Sequence, residues 1–235
     1  MFNITSVSHS YNHVPALADV SLTVAPGEIV AIVGPSGCGK STLLRIAAAL
    51  LAPELGAVNG LEARPGYIFQ EPALLPWLRV RDNASVLAGS SADAHFVDSL
   101  LERVGLGAHR HKWPHELSGG MKMRLSLVRT LAARPNVVLA DEPFGALDQI
   151  TRHQMHDELL RLHAEQRFSM VLVTHAVDEA VFLADRVLTM SPAPGRITAT
   201  STVPFARPRA AALRYDAAFA ALCGTIATTL RSAGA

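Results

Sequence analysis

The sequence predicts an α/β fold built on a mostly parallel sheet. Three apolar runs rich in β-branched residues support this fold class, because each has the continuous hydrophobicity of a strand that is buried on both faces. The runs are EIVAIV (28–33), NVVLA (136–140) and SMVLVT (169–174). Helical stretches separate them, as in βαβ units. A chain of 235 residues accommodates one large domain, or one domain with a modest insertion.

The first thirty residues predict a different kind of sheet. Polar and apolar side chains alternate in ITSVSHSY (4–11) and in VSLTV (20–24). Such alternation is typical of strands with one face in solvent. We expect these strands to form an antiparallel layer at the edge of the domain.

The helical parts of the chain follow from composition and from breakers. Residues 40–51 (KSTLLRIAAALL) are rich in Ala and Leu and predict a helix directly after the first buried strand and its glycine loop. From Glu71 to Ser118, Leu-rich segments are punctuated by Pro and Gly without a strand candidate, which predicts a helical insertion. Ala217–Leu230 predicts a short terminal helix, packed or loose.

These patterns divide the chain into two parts. We expect one domain over residues 1–205, with the helical insertion at about 71–118. A short helical extension over residues 206–235 follows it, because the chain becomes rich in Ala, Arg and Pro after Gly195.

Composition excludes several classes of protein. Hydrophobic residues make up 49% and charged residues 17% of the chain, which excludes a disordered chain. No apolar run approaches the roughly 18–20 residues that span a bilayer. Lys and Arg number 21 against 20 Asp and Glu, so no basic excess points to a nucleic-acid partner. The N-terminus lacks the pattern of a secretory signal, so we expect a cytosolic chain.

Cysteine and histidine usage gives no metal motif. Cys38 and Cys223 are too few for a disulfide framework, and no zinc-ligand spacing occurs. Two histidine groups allow a metal in principle: His109, His111 and His115, and His153, His156 and His163. We interpret both groups as solvated histidines, because no carboxylate or cysteine set completes a recognisable site.

Residues 34–41 (GPSGCGKS) match the phosphate-loop pattern G-x-x-x-x-G-K-[ST]. The match lies between a buried strand and a helix, which is the context that this motif requires. Its glycines let backbone N–H groups converge on phosphate oxygens, and the helix N-terminus adds its positive end. Lys40 supplies a charge to the β- and γ-phosphates, and the Ser41 hydroxyl suits Mg²⁺. The residues expected to surround the nucleotide phosphates are Gly34, Pro35, Ser36, Gly37, Cys38, Gly39, Lys40, Ser41 and Thr42.

An acid pair and two further polar residues follow other strands. Asp141 comes just after an apolar strand and is expected in the Mg²⁺ shell, and Glu142 is expected to polarise the attacking water. His175 and Gln70 end the runs VLVT and GYIF, so they reach the same carboxyl edge. His175 can bind the γ-phosphate, and the Gln70 amide can contact the metal or the water.

Residues Tyr11 to Arg196 resemble the ATP-binding subunit of an ABC transporter. The most specific motif is LSGGM (117–121), which lies before a helix and about twenty residues ahead of the Asp-Glu strand. The resemblance implies a head-to-tail dimer with two ATP molecules between the subunits, paired as a homodimer or with a related subunit. It also implies that Gln70 is the Q-loop glutamine and His175 the switch histidine.

The resemblance assigns further roles around the nucleotide. Tyr11 is expected to stack on adenine, and Asp148 belongs to GALD (145–148), the loop that links the two sites of the dimer. Ser118, Gly119 and Gly120 are expected to bind the γ-phosphate held by the other subunit. Two departures occur: Met123 replaces a common glutamine, and Ala48-Ala49 replaces a common Ala-Gly.

The phrase QEPALLPWLRVRDN (70–83) resembles the nitrate, sulfonate and taurine importers of bacteria. This resemblance implies a separate membrane permease, an external solute-binding protein and a peripheral location on the cytoplasmic face of the membrane. The apolar residues Leu74, Leu75, Trp77 and Leu78 are either a permease contact or a buried local cluster. The alternative function is an ABC ATPase that acts mechanically without a permease, but the chain has one cassette and no heptad insertion. A small-molecule kinase would leave LSGGM and His175 without a role.

Overall fold

The computed structural model describes residues 1–60, 65–89 and 93–233. Within these ranges the strands are β1 Phe2–Tyr11, β2 Val14–Val24, β3 Ile29–Val33, β4 Leu55–Asn59, β5 Gly66–Ile68, β6 Val137–Asp141, β7 Ser169–Thr174, β8 Arg186–Met190 and β9 Ile197–Thr202. The α-helices are α1 Lys40–Ala47, α2 Val80–Ser85, α3 Ala94–Arg103, α4 Gly119–Ala132, α5 Gln149–Gln166, α6 Val177–Leu183 and α7 Ala217–Ser232. No helix in the described ranges combines the length and apolarity needed to cross a lipid bilayer.

The larger sheet confirms the predicted α/β fold. Its strand order is β5-β6-β7-β3-β8-β9. The first five strands in this order pair in parallel, and β9 pairs antiparallel with β8. The three predicted buried runs are neighbours at its centre, in the order β6-β7-β3.

The smaller sheet confirms the predicted antiparallel layer. Strands β1 and β2 form a hairpin whose two connecting residues, Asn12 and His13, have φ of +49° and +67°. This left-handed pair is typical of the tight turn that matches strand twist. β4 pairs with the free edge of β1 and completes the order β2-β1-β4.

The two faces of the larger sheet support two hydrophobic cores. In β3, Ile29, Ala31 and Val33 belong to the core shared with the helices α2 to α7. Val30 and Ile32 belong to the core shared with α1 and the antiparallel sheet. The strand is therefore buried on both sides, as its unbroken apolar run predicts.

Several elements differ from expectation. Helix α1 ends at Ala47 instead of extending to residue 51, and Ala49 has a left-handed φ of +56°. Strands β4, β8 and β9 were not predicted. Other elements agree in kind with expectation. Residues 71–89 and 93–118 contain α2, α3 and two short 3₁₀ turns, where a helical stretch is predicted. The terminal helix α7 is packed, since Phe219 and Ile226 are buried in the helical core.

Candidate functional site

Four strands of the larger sheet end at one edge and place the predicted site residues there. Val33 at the end of β3 is level with Thr174 of β7, and Asp141 of β6 is level with Val173. The chain continues from these ends into the glycine loop, Gln70, Glu142 and His175. This is the edge at which parallel α/β sheets bind ligands.

The glycine loop has the backbone of an anion cradle. Gly37 and Gly39 have φ of +77° and +97°, which side chains disfavour. A Cβ at Gly39 would lie 2.6 Å from Leu17 Cδ2, so the loop also requires close packing there. No side chain caps the N-terminus of α1, which leaves the N–H groups of its first turn available for an anion.

Lys40 is folded onto this loop. Its ammonium donates hydrogen bonds to the carbonyls of Gly34 and Pro35, each at 2.8 Å, and lies 3.7 Å from Cys38 Sγ. Lys40 is buried, with 6% of its surface exposed. A positive charge is thus held at the glycine loop that begins α1, and this arrangement fits nucleotide phosphates.

Tyr11 lies beside the glycine loop. Its hydroxyl is 3.4 Å from Thr42 Oγ1, and the residue is 44% exposed. His9 contacts the ring edge-on at 4.8 Å. An exposed aromatic face next to a phosphate cradle is suited to stacking on a base.

Asp141 and Ser41 form the pair that suits a metal ion. The Ser41 hydroxyl donates to Asp141 Oδ1 at 2.9 Å. Burial raises the pKa of the Asp141 carboxyl, the Ser41 hydrogen bond lowers it, and the adjacent Glu142 charge raises it further. A buried carboxylate and a hydroxyl beside a phosphate cradle fit Mg²⁺, which prefers few protein oxygens together with phosphates.

Glu142 is hydrogen-bonded by two other polar residues at this edge, Gln70 and His175. Gln70 Nε2 donates to Glu142 Oε2 at 3.4 Å, and His175 Nδ1 lies 3.2 Å from the same oxygen. Because a carboxylate only accepts, the His175 Nδ1 carries the proton of this hydrogen bond. The structure therefore brings Gln70, Glu142 and His175 together, as their positions in the sequence predict.

The LSGGM segment forms the start of helix α4 and lies apart from the Glu142 cluster. Ser118 caps α4, its hydroxyl accepting from the Met121 N–H at 3.3 Å. A Cβ on Gly119 would meet open space, whereas one on Gly120 would lie 3.1 Å from Leu147 Cδ2. Within the described residues, Ser118 makes no hydrogen bond to the glycine loop or to Glu142.

Asp148 and Met123 each have a structural position. Asp148 caps α5 by accepting from the Thr151 N–H at 3.0 Å. Hydrogen bonding from the Thr151 side chain, and secondarily from its N–H, lowers the pKa of the Asp148 carboxyl. Met123 is buried in the helical core with 1% of its surface exposed. The Met123 side chain therefore fills the core.

The second predicted histidine group has structural partners. His156 pairs with Glu179 at 3.1 Å, and His163 Nε2 lies 3.0 Å from the Gly27 carbonyl. In the part of the chain that the structure describes, no three His, Cys, Asp or Glu side chains are placed to share a metal. These two histidines are buried, not solvated as expected.

Sequence reasoning missed Asn83, which organises the loop after Gln70. Its side-chain oxygen accepts from the Leu75 N–H at 2.9 Å, and its amide donates to the Leu75 and Leu78 carbonyls at 3.0 and 2.7 Å. Asn83 is fully buried. The signal was an asparagine inside a segment rich in Leu and Pro, where a polar side chain must find backbone partners. Trp77 on the same loop is 68% exposed.

The fold and this site together define a P-loop nucleotide-binding protein. Residues 17–145 match the family model described as ABC transporter. The chain therefore belongs to the ABC transporter family, and the prediction of an ABC-type ATPase is confirmed.

Individual relatives cover most of the chain. It is 44% identical to the aliphatic sulfonates import ATP-binding protein SsuB 1 of Pseudomonas aeruginosa over 222 residues, which is 89% of each chain. It is 43% identical to the taurine import ATP-binding protein TauB of Yersinia pestis over 209 residues, 84% of this chain and 82% of the relative.

The fold also matches a solved cassette. The dimeric structure of MJ0796, a bacterial ABC transporter cassette, superimposes with a TM-score of 0.79 at 28% identity, covering 88% of this chain and all of that one. The same cassette in a post-hydrolysis state with ADP and Pi gives a TM-score of 0.78 at 27% identity.

Proposed function

We propose that the chain is the ATP-hydrolysing subunit of a bacterial importer for a small organic anion, an aliphatic sulfonate or taurine. The observation that carries the chemistry is the convergence of Gln70 and His175 on Glu142 at the edge that holds the glycine loop. The import function is supported by the relatives, which are named import ATP-binding proteins. Nitrate, which the sequence pattern also allowed, is not among the substrates that these names give.

ATP is bound by the glycine loop and Tyr11 in this proposal. Tyr11 stacks on the base, and the loop N–H groups hold the phosphates. Lys40 exchanges its contacts with the Gly34 and Pro35 carbonyls for phosphate oxygens. The loop residues that surround the phosphates are Gly34, Pro35, Ser36, Gly37, Cys38, Gly39, Lys40, Ser41 and Thr42.

Ser41, Asp141 and Gln70 are the residues that would hold Mg²⁺. When bound, the ion supplies positive charge against the β- and γ-phosphates. The Ser41–Asp141 hydrogen bond keeps both oxygens side by side beforehand. Asp141 is buried, and burial raises its pKa, so a cation there relieves an unfavourable carboxylate.

Glu142 acts as general base in hydrolysis. Its carboxylate takes the proton of the attacking water, and Gln70 and His175 hold that carboxylate in place. His175 and Lys40 then stabilise the negative charge that develops on the transferred phosphoryl group. The side chains that accept the proton, position the carboxylate and stabilise the charge all lie at one edge of the sheet.

A head-to-tail dimer completes each site. Ser118, Gly119 and Gly120 of one subunit bind the γ-phosphate held by the other, and Asp148 lies on the loop that links the two sites. The exposed Ser118 and the open space at Gly119 support this role. The solved cassette MJ0796, which this chain resembles, is itself dimeric. The partner is a second copy or a related subunit.

The subunit docks on the cytoplasmic face of the membrane against a permease that works with an external solute-binding protein. In this proposal the cassette covers residues 1–205, and residues 206–235 are a helical extension. The docking loop, residues 74–79, lies in the insertion at about 71–118. The exposed Trp77 on a loop fixed by Asn83 supports this surface. The relatives' names support an importer over an ATPase without a permease, and the charge balance supports no nucleic-acid partner.

A co-purification from the native cell tests this function. The tagged chain is purified in mild detergent beside two variants, Trp77→Ser in the docking loop and Tyr215→Ser, at another exposed aromatic residue outside this loop. We expect a multi-span membrane protein with the wild type and with Tyr215→Ser, and much less of it with Trp77→Ser. Recovery of ribosomes or DNA-bound proteins instead would contradict the importer.

Deletion of the gene tests the substrate. We expect loss of growth on taurine or an alkanesulfonate as sole sulfur source, with normal growth on sulfate. Unchanged growth on both sulfonates would show that the imported solute belongs to another class.

A further inference from the structure

A large cavity lies at the opposite edge of the larger sheet from the glycine loop. Its volume is about 1040 Å³, and it is bounded by residues 26–27, the second half of α5 and residues 207–211. Gly27 precedes the amino end of β3, whereas Gly34 follows its carboxyl end. The cavity is therefore separate from the nucleotide site.

The lining of this cavity is strongly basic. It includes Arg161, Arg167, Arg207 and Arg209, and its one carboxylate is Asp157. Asp157 is already bonded to Arg214 at 3.0 Å. Arg167 has no ion-pair partner in the described part of the chain, and the contact of Arg161 with Glu158 is long, at 3.7 Å. Little negative charge is left to balance the arginines.

Arg209 is a buried cation without a carboxylate. It is 8% exposed and donates to the carbonyls of Phe205, Val181 and Phe182 at 2.8 to 3.2 Å. Burial, with a smaller contribution from Arg207, lowers the pKa of this guanidinium to about 10. The Val181 and Phe182 carbonyls at the C-terminal end of α6 and the charge of Asp185 offset part of the cost of this burial, and an anion in the cavity would offset more of it.

Arg207 shares one carboxylate with the backbone. Its Nη2 donates to Asp185 at 3.1 Å, and that carboxylate also accepts from the Ile29 N–H at 2.8 Å. Arg207 Nη1 contacts His163 Nδ1 at 2.8 Å, while His163 Nε2 is bonded to the Gly27 carbonyl. A histidine that accepts at Nδ1 and donates at Nε2 is neutral, so it neither balances nor repels the charge of Arg207.

The rest of the lining is apolar and includes Pro26, Leu160, Ala164, Pro208 and Ala211. We propose that this cavity binds a small organic anion, with its head group at the arginines and its apolar body against these side chains. Sulfonates, carboxylates and phosphate monoesters of short alkyl chains share this chemistry. The inference goes beyond the proposed function, because it concerns a site that ATP and a permease do not occupy.

Calorimetric titration of the full chain tests the proposal. Saturating Mg-ADP is present throughout, so that the glycine loop is filled. The probes are hexanesulfonate and hexanoate. Hexanol is the control for the apolar body alone, and inorganic sulfate is the control for the anionic head group alone. We expect both organic anions to bind at one site per chain, at least tenfold more tightly than hexanol or sulfate.

Matched variants locate the site. Arg161→Gln with Arg167→Asn removes two exposed charges from the rim, and Asn suits the left-handed φ of +55° at residue 167. Arg231→Gln removes an exposed charge at the end of α7, outside the cavity. We expect the rim variant to weaken hexanesulfonate binding at least tenfold and Arg231→Gln to leave it unchanged.

Three outcomes would overturn the proposal. The first is no binding of either organic anion, and the second is hexanol binding as tightly as hexanesulfonate, which would make the cavity merely apolar. The third is an equal loss of affinity in the rim variant and in Arg231→Gln, which would place the anion elsewhere.

Discussion

Glu142 is held in a left-handed backbone conformation, with φ of +47°, and its N–H donates to the Val173 carbonyl at 2.9 Å. For a side chain other than glycine this conformation costs on the order of 1 kcal/mol. The strain is located at the residue that contacts both Gln70 and His175. The backbone thus aims one carboxylate at a point where two neighbours hold it.

Glu142→Gln isolates the proton transfer. The amide keeps the size of the side chain but is a poor base, so we expect ATP to bind normally while turnover falls by about two orders of magnitude or more. Phosphate release measures turnover, and gel filtration with ATP is expected to show an accumulated dimer. Near-normal turnover would remove Glu142 from the role of base.

His156 and Glu179 form a buried pair that stabilises the fold. Both side chains are buried, with 3% and 4% exposed, and His156 also packs edge-on against Phe144 at 4.7 Å. The pair joins α5 to α6, the helix that follows His175. It fixes the two helices by a contact that needs both partners.

His156→Ala leaves the buried Glu179 without its partner. We expect the free energy of unfolding to fall by about 3 kcal/mol, because an unpaired buried acid remains. Urea unfolding measures the loss, and His111→Ala, at an exposed histidine, is the control. A change in His156→Ala no larger than in the control would contradict this account of the pair.

Sequence reasoning worked best for residues whose role is set by local order. Lys40, Ser41, Asp141 and Glu142 follow buried strands at fixed spacing, so the strand ends alone bring them to one edge. Arg209 and the His156–Glu179 pair depend on which distant segments pack together. The residues next to them in the sequence carry no signal of these contacts. Their partners could therefore not be predicted from the sequence.

At the scale of elements, the missed strands share a cause. β4 is mostly exposed, with the sequence LGAVN, and lacks both alternation and an apolar run. It is a strand because β1 offers a free edge. β8 and β9 form a hairpin-like pair beside β3, and their pattern was hidden by the Pro- and Gly-rich connection between them. Tertiary pairing decided these elements, and local preference did not.

The loop fixed by Asn83 gives an element-scale prediction. Asn83→Ala removes the hydrogen bonds to Leu75 and Leu78, so residues 74–79 should open more often. We expect trypsin to cleave after Arg79 about ten times faster, with ATP hydrolysis by the isolated subunit little changed. Ser85→Ala on the same helix is the control. Equal cleavage rates for the two variants would show that Asn83 does not hold the loop.

At the scale of the whole molecule, Ser118 lies apart from the cluster that it is proposed to serve. The Glu142 cluster and Ser118 are not in contact within one chain. If sites are shared across a head-to-tail dimer, two different defects complement each other. Lys40→Ala damages the glycine loop, and Ser118→Arg damages the opposing surface.

A mixture of the two variants tests the shared site. Each variant alone has two damaged sites, whereas a mixed dimer has one damaged twice and one intact. Random mixing should restore up to about a quarter of wild-type ATP hydrolysis, since half of the dimers carry one intact site of two. Activity no higher than that of the separate variants would mean that Ser118 serves its own chain.

Strand β3 contributes alternate residues to the two cores, Ile29, Ala31 and Val33 to one and Val30 and Ile32 to the other. The residues of the two cores can therefore change almost independently of each other during evolution. Substitutions at Ile29, Ala31 and Val33 change the packing against the helical core, while Val30 and Ile32 keep the packing against the core that includes α1. An insertion of one residue would exchange both sets at once, so the length of β3 should change far less in evolution than its composition.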